Sequence, residues 1–163
     1  MRTRRIISLT IATALVVVSA ATALHASIDQ RRSRPLDRQN IGYVHGHWQT
    51  VKTEWAQIGG WSFSDGMMLV ARSGISVTLS VTVTGAPAEF RVVMEAAEQG
   101  WAQRVMKPGW AHFDPQGGTG SFSYSFVAGV GPGTYTINLL WRSPTGVQTN
   151  LEGGSLVVQY AAR

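Results

Sequence analysis

Nine consecutive residues, Ile75-Ser76-Val77-Thr78-Leu79-Ser80-Val81-Thr82-Val83, alternate without a break between an aliphatic side chain and a small hydroxyl. Successive side chains of an extended chain point to opposite faces, so this run has one wholly apolar face and one wholly hydroxylic face. A helix would scatter the same residues around its circumference. The segment is therefore a strand with one face on a core and the other in water. The pattern recurs in Ser121-Phe122-Ser123-Tyr124-Ser125-Phe126, and again where Tyr135, Ile137, Leu139 and Trp141 share a side. Weaker strand patterns cover Thr50–Ala56, Met67–Ala71, Glu89–Met94, Ala102–Met106 and Ser155–Tyr160.

Turn residues separate these runs: Ser73-Gly74, Gly85-Ala86-Pro87, Gln99-Gly100, Pro108-Gly109, Pro115–Gly120, Gly131-Pro132-Gly133, Pro144-Thr145-Gly146 and Gly153-Gly154. About eight short antiparallel strands with such punctuation predict an all-β fold, a β-sandwich of jelly-roll type. Glu95–Trp101 alone has the makings of a helical turn, and no repeat of fixed period is present.

The N-terminus is different in kind. Arg2, Arg4 and Arg5 precede an uncharged run from Ile6 to Leu24, and small residues follow. Ala21-Thr22-Ala23 fits a signal-peptidase site, with Ala26 as a second candidate. The same run, at about 28 Å as a helix, also spans a hydrocarbon core, with the arginines holding the N-terminus in the cytoplasm. Residues 1–26 are thus a hydrophobic helix acting as signal peptide or signal anchor. Residues 27–42 read as a flexible Arg-rich linker and 43–163 as the β domain. The domain is expected outside the cytoplasm, secreted or tethered, touching a membrane only through the N-terminal segment if that is retained.

A pI near 10.2 invites a nucleic-acid reading, but the charges are in the wrong place. Residues 1–40 hold seven arginines against Asp29 and Asp37, which accounts for the whole net charge of +5. Residues 41–163 hold seven basic and seven acidic residues. A neutral domain lacks the electrostatic footprint for phosphate backbones, so no nucleic-acid partner is expected. There is no cysteine, which excludes disulfides, thiolate metal sites, a Cys nucleophile and a lipoprotein anchor.

The stretch Pro132-Gly133-Thr134-Tyr135-Thr136-Ile137, the aromatic strand before it, and the closing Gly154-Ser155-Leu156-Val157-Val158 resemble the late strands of C1q/TNF-like jelly rolls. The layout is similar as well: an apolar N-terminal segment, a short stalk, then a β domain. The resemblance implies a binding module that self-associates, typically as a trimer. That family has no universal site, so it assigns no residue a role.

Candidate chemistry is sparse. His45-Gly46-His47 places two imidazoles on one side of an extended segment, and His112 with Asp114 repeats the spacing, so His45, His47 and His112 are the candidate metal ligands. Solvated loop histidines are the simpler account. Gly60-Trp61-Ser62-Phe63-Ser64 lacks the second glycine of a nucleophile elbow, and the strand serines are the wet half of an alternation. Glu89, Glu95 and Glu98 are the one local carboxylate cluster, expected as a solvated edge rather than a glycosidase pair. No phosphate loop is present. The domain is accordingly expected to be non-enzymatic and cofactor-free, a module for protein–protein interaction. The alternatives are a carbohydrate-binding module and a His-based metal enzyme. Of the six tryptophans, Trp141 continues an apolar face and is expected in the core, while Trp101 and Trp110 flank a Pro-Gly turn and are the candidate ligand-binding residues.

Overall fold

The structure is a computed structural model that describes residues 36–44, 46–58, 66–96 and 103–162. The expected N-terminal helix and its cleavage sites lie outside the described residues, as do residues 97–101 of the expected helical turn. Among the described residues every regular element is a β-strand, and no helix is long and apolar enough to cross a membrane.

The alternating run sits inside a single 19-residue strand, β4 (Met67–Gly85). Its inward side chains Val77, Leu79 and Val83 are fully buried. Along one edge β4 pairs with β10 (Thr149–Ala162). Along the other it changes partners. Met67–Ala71 pair with β9 (Gly133–Arg142), and Ile75–Thr84 pair with β8 (Thr119–Ala128). The sheet therefore divides at β4 into two leaves. The first leaf runs from β1 (Arg38–Val44) and β2 (Trp48–Thr50) through β10 and β4 to β8. The second runs from β4 and β3 (Ala56–Gln57) through β9 to β5 (Ala88–Ala96), which carries β6 (Arg104–Val105) and β7 (Ala111–Phe113). All ten strands pair antiparallel.

The leaves also meet on the far side. Lys107 and Val127 exchange both backbone hydrogen bonds, at 3.0 and 2.9 Å, and Met106 N donates to Val92 O at 3.0 Å. One continuous core results, with Leu79, Phe90, Phe126, Ile137 and Leu156 at its centre. Burying each such side chain stabilises the fold by about 1.5–3 kcal/mol. The phenol of buried Tyr135 would be costly without a partner; its hydroxyl donates to Gly131 O at 2.7 Å.

Several local expectations are revised. Ser73-Gly74 is no hairpin turn. Gly74 takes a left-handed φ of +53°, and β4 bends there while β10 follows it through register shifts at its end. Gly153-Gly154 is also not a turn but an irregularity within β10. A Cβ on Gly154 would lie 2.6 Å from Ser80 O, so the close approach of the two backbones demands glycine. Thr50–Ala56 is not one strand: the segment leaves β10 after β2 and reaches β9 at β3, crossing between leaves. β1 begins at Arg38, inside the stretch read as linker, and its weak local pattern is overridden by pairing with Gly154–Tyr160. Asp37 supports that edge by accepting a hydrogen bond from Ala162 N at 2.8 Å. β7 had no visible signature.

Denaturation of three variants checks the inward and outward faces. Leu79→Ala is expected to cost about 2–5 kcal/mol. Gly154→Ala should cost about 1–3 kcal/mol through overpacking. Met68→Ala, at a position 68% exposed, should cost less than about 0.5 kcal/mol.

Candidate functional site

The wet half of the alternation forms a surface of its own. On the outer face of the first leaf, the register aligns side chains in rows across β1, β10, β4 and β8. One row is Gln39, Gln159, Ser76 and Val127; the next is Ile41, Val157, Thr78 and Ser125. The third is Tyr43, Ser155, Ser80 and Ser123, and the fourth Gly153, Thr82 and Ser121. None of these side chains carries a charge. Between β4 and β8 the hydroxyls pair directly: Thr78 with Ser125, Ser80 with Ser123 and Thr82 with Ser121, each at 3.1 Å. Ile41, Tyr43 and Val127 are 41%, 51% and 53% exposed on the same face.

At one end of this face lies a polar network. His47 Nδ1 pairs with Glu152 Oε2, and the other carboxylate oxygen accepts from Thr84 Oγ1 at 2.8 Å. Asn150 Nδ2 donates to Thr84 Oγ1 at 3.2 Å, and Gln148 Nε2 joins Asn150 to Gln49. The Thr84 hydrogen bond, and then His47, hold the Glu152 carboxyl below its ordinary value.

His112 lies on the second leaf instead. Its Nδ1 is 3.4 Å from Glu89 Oε1. Asp114 turns away to accept from Gln116 N at 2.8 Å, closing a turn. His45 is outside the described residues. His47 and His112 thus engage different carboxylates on different leaves. Among the described residues no three His, Asp or Glu side chains gather as metal ligands.

Glu89 is not a solvated edge. It is 8% exposed and stands directly opposite Arg142 on β9. Arg142 Nε and Nη2 both donate to Glu89 Oε2, at 2.8 and 2.7 Å, and Nη1 donates to Thr53 O at 3.3 Å. Trp55 lies over this row, with the guanidinium carbons of Arg91 and Arg142 at 4.1 and 4.6 Å from its ring centre. Sequence reading passed over Arg91 and Trp55. They are far apart in the chain, and only the passage of residues 51–55 between leaves brings them together. Glu95 accepts from Gln103 at 2.7 Å, and Glu98 is outside the described residues.

Trp141 is buried and stacks on Phe90 at 6.2 Å, as its alternation implies. Trp110 is 51% exposed, just after the cis Lys107–Pro108 peptide, while Trp101 lies outside the described residues.

No protein-family model matches the chain, and no curated protein does. Among solved structures it is similar to that of Eiger TNF from S. frugiperda, with 10% identity, covering 80% of this chain and 96% of that one, at a TM-score of 0.42. It is also similar to structures of infectious bursal disease virus. The Gx strain gives 9% identity over 78% of this chain and 34% of that one, and the Gt strain 11% over 78% and 33%, each at a TM-score of 0.38. The chain therefore spans about a third of the viral chains.

The Glu152 network makes a prediction in pH. Because its folded pKa is depressed, its contribution to stability is present above the ordinary value of 4.5 and is lost as pH falls below that through the folded value. Glu152→Gln should therefore lower stability at neutral pH and flatten the loss of stability on acidification, read by thermal melts between about pH 6 and pH 3.

Proposed function

We propose that this chain is a non-enzymatic binding and assembly module acting outside the cytoplasm, a jelly-roll-like β-sandwich that associates through the uncharged outer face of its first leaf. The observation that carries this reading is the row-by-row absence of charge across four strands. Solvated sheet faces ordinarily carry charged side chains, which keep them hydrated and stop sheets from stacking on one another. Here the hydroxyls already hydrogen-bond to each other, so covering them leaves fewer polar groups unsatisfied. Ile41, Tyr43 and Val127 supply apolar area for a partner to cover.

A second copy of the chain is the favoured occupant. A neutral face meets its own copy without like-charge repulsion, as a self-complementary contact requires. Four strands by four rows present roughly 500 Å² per partner at sheet spacings. That is the small end of specific interfaces, which favours weak, concentration-dependent association. Exposed Trp110 favours a second reading, glycan binding, in which Trp110→Ala would abolish a ligand-induced change in tryptophan fluorescence.

Sedimentation velocity over a hundredfold range of concentration should show a rising sedimentation coefficient. Ser80→Lys with Ser123→Lys should hold the chain monomeric without unfolding it, since both positions face outward. A wild-type chain that stays monomeric throughout would remove the self-association. Export rests on the N-terminal segment. N-terminal sequencing of the mature protein should begin at Leu24 or Ser27 for a cleaved signal, and at Met1 for a retained anchor.

A further inference from the structure

The second leaf holds a guanidinium that forms no ion pair among the described residues. Arg91 lies on the outer side of β5, across from Leu140 of β9 and next in line to Glu89. Its Nε is buried without a hydrogen-bond partner. Glu89 bonds elsewhere, with Oε2 paired to Arg142 and Oε1 facing His112, and reaches Arg91 only through its charge. What Arg91 does have is the face of Trp55, at 4.1 Å, and the like charge of Arg142 on the same ring. Burial and then Arg142 push its pKa down against the opposing pull of Glu89, although an arginine stays charged throughout the physiological range. A partly desolvated guanidinium beside a second one is unfavourable in the free protein.

We propose that Arg91 and Trp55 form a binding site for the carboxylate of an acidic side chain on a partner protein. Three features define the ligand. The two guanidiniums and the Glu89 carboxylate together leave one positive charge, which matches a singly charged carboxylate and not a phosphate dianion. A planar two-oxygen acceptor matches the guanidinium fork, whose plane the indole holds. An arginine packed on a tryptophan in a half-buried setting is also the type of anchor that concentrates binding energy at protein interfaces. The assignment to a protein side chain rests on the binding-module reading above; the anion chemistry does not.

The test follows the side-chain Nε–Hε resonance of Arg91 by NMR in the folded protein, with three probes at matched ionic strength. These are the peptide acetyl-Gly-Glu-Gly-amide, acetate and inorganic phosphate. The peptide should shift the resonance saturably, at least as tightly as acetate and at least tenfold more tightly than phosphate. Arg91→Lys, which keeps the charge and loses the fork, should weaken the peptide at least tenfold, read on the Trp55 indole resonance. Absence of a saturable shift in the wild type overturns the site. So does phosphate binding as tightly as the peptide, or peptide binding unchanged in Arg91→Lys. Acetate binding more tightly than the peptide overturns the protein side chain as ligand. The two readings separate cleanly. A chain that binds the peptide but never self-associates keeps this site and loses the assembly face, and the Ser80→Lys, Ser123→Lys variant should bind the peptide as the wild type does.

Discussion

The architecture depends on one strand, β4, having backbone partners along both edges from Ile75 to Thr84. β4 supplies the inner apolar face to both leaves, and its change of partner from β9 to β8 is what divides the sheet. The change of partner brackets Gly74, whose φ is +53° and which β10 skips in its register. The register then follows. Because side chains alternate with period two, a shift of one residue would turn Val77, Leu79 and Val81 to water and bury Thr78 and Ser80. The alternation that makes the strand recognisable is also the force that holds its register.

The two outer faces solve the problem of solvation in opposite ways. The first leaf is wet by hydroxyls that bond sideways to each other, with no charge until Glu152 and His47 at the rim. The second carries Glu89, Arg142 and Arg91, and partly covers them with the segment that holds Trp55. A face of short, mutually bonded hydroxyls is shape-neutral and charge-neutral. The fold thus presents an uncharged surface and a charged one on separate leaves.

Strands whose own residues alternate were legible in the sequence: Ile75–Val83, Ser121–Phe126 and Tyr135–Trp141 all lie within observed strands. Those that depend on partners were not. Arg38–Gly42 looks like linker because its polar residues on both faces stay exposed or half-buried at a sheet edge, and Ala111–Phe113 is too short to show a period. The glycines misled for a related reason. Gly74 and Gly153-Gly154 read as turns, yet each serves a bend or a close backbone contact inside a strand, a requirement set by the neighbouring strand. The Arg91–Trp55 pair was invisible because Arg91 belongs to β5 and Trp55 to the segment between β2 and β3, and the two match no motif.

The position of β10 has a consequence for timing. This last strand is an interior strand, flanked by β1 and β4, so the first and longest strands lack a neighbour until the C-terminus is available. Pairings between residues so distant in sequence also fold slowly, because the chain must close long loops before contacts compensate for them. A ribosome still holding Thr149–Ala162 therefore holds back the central ladder, and the domain takes its shape only once that strand has emerged.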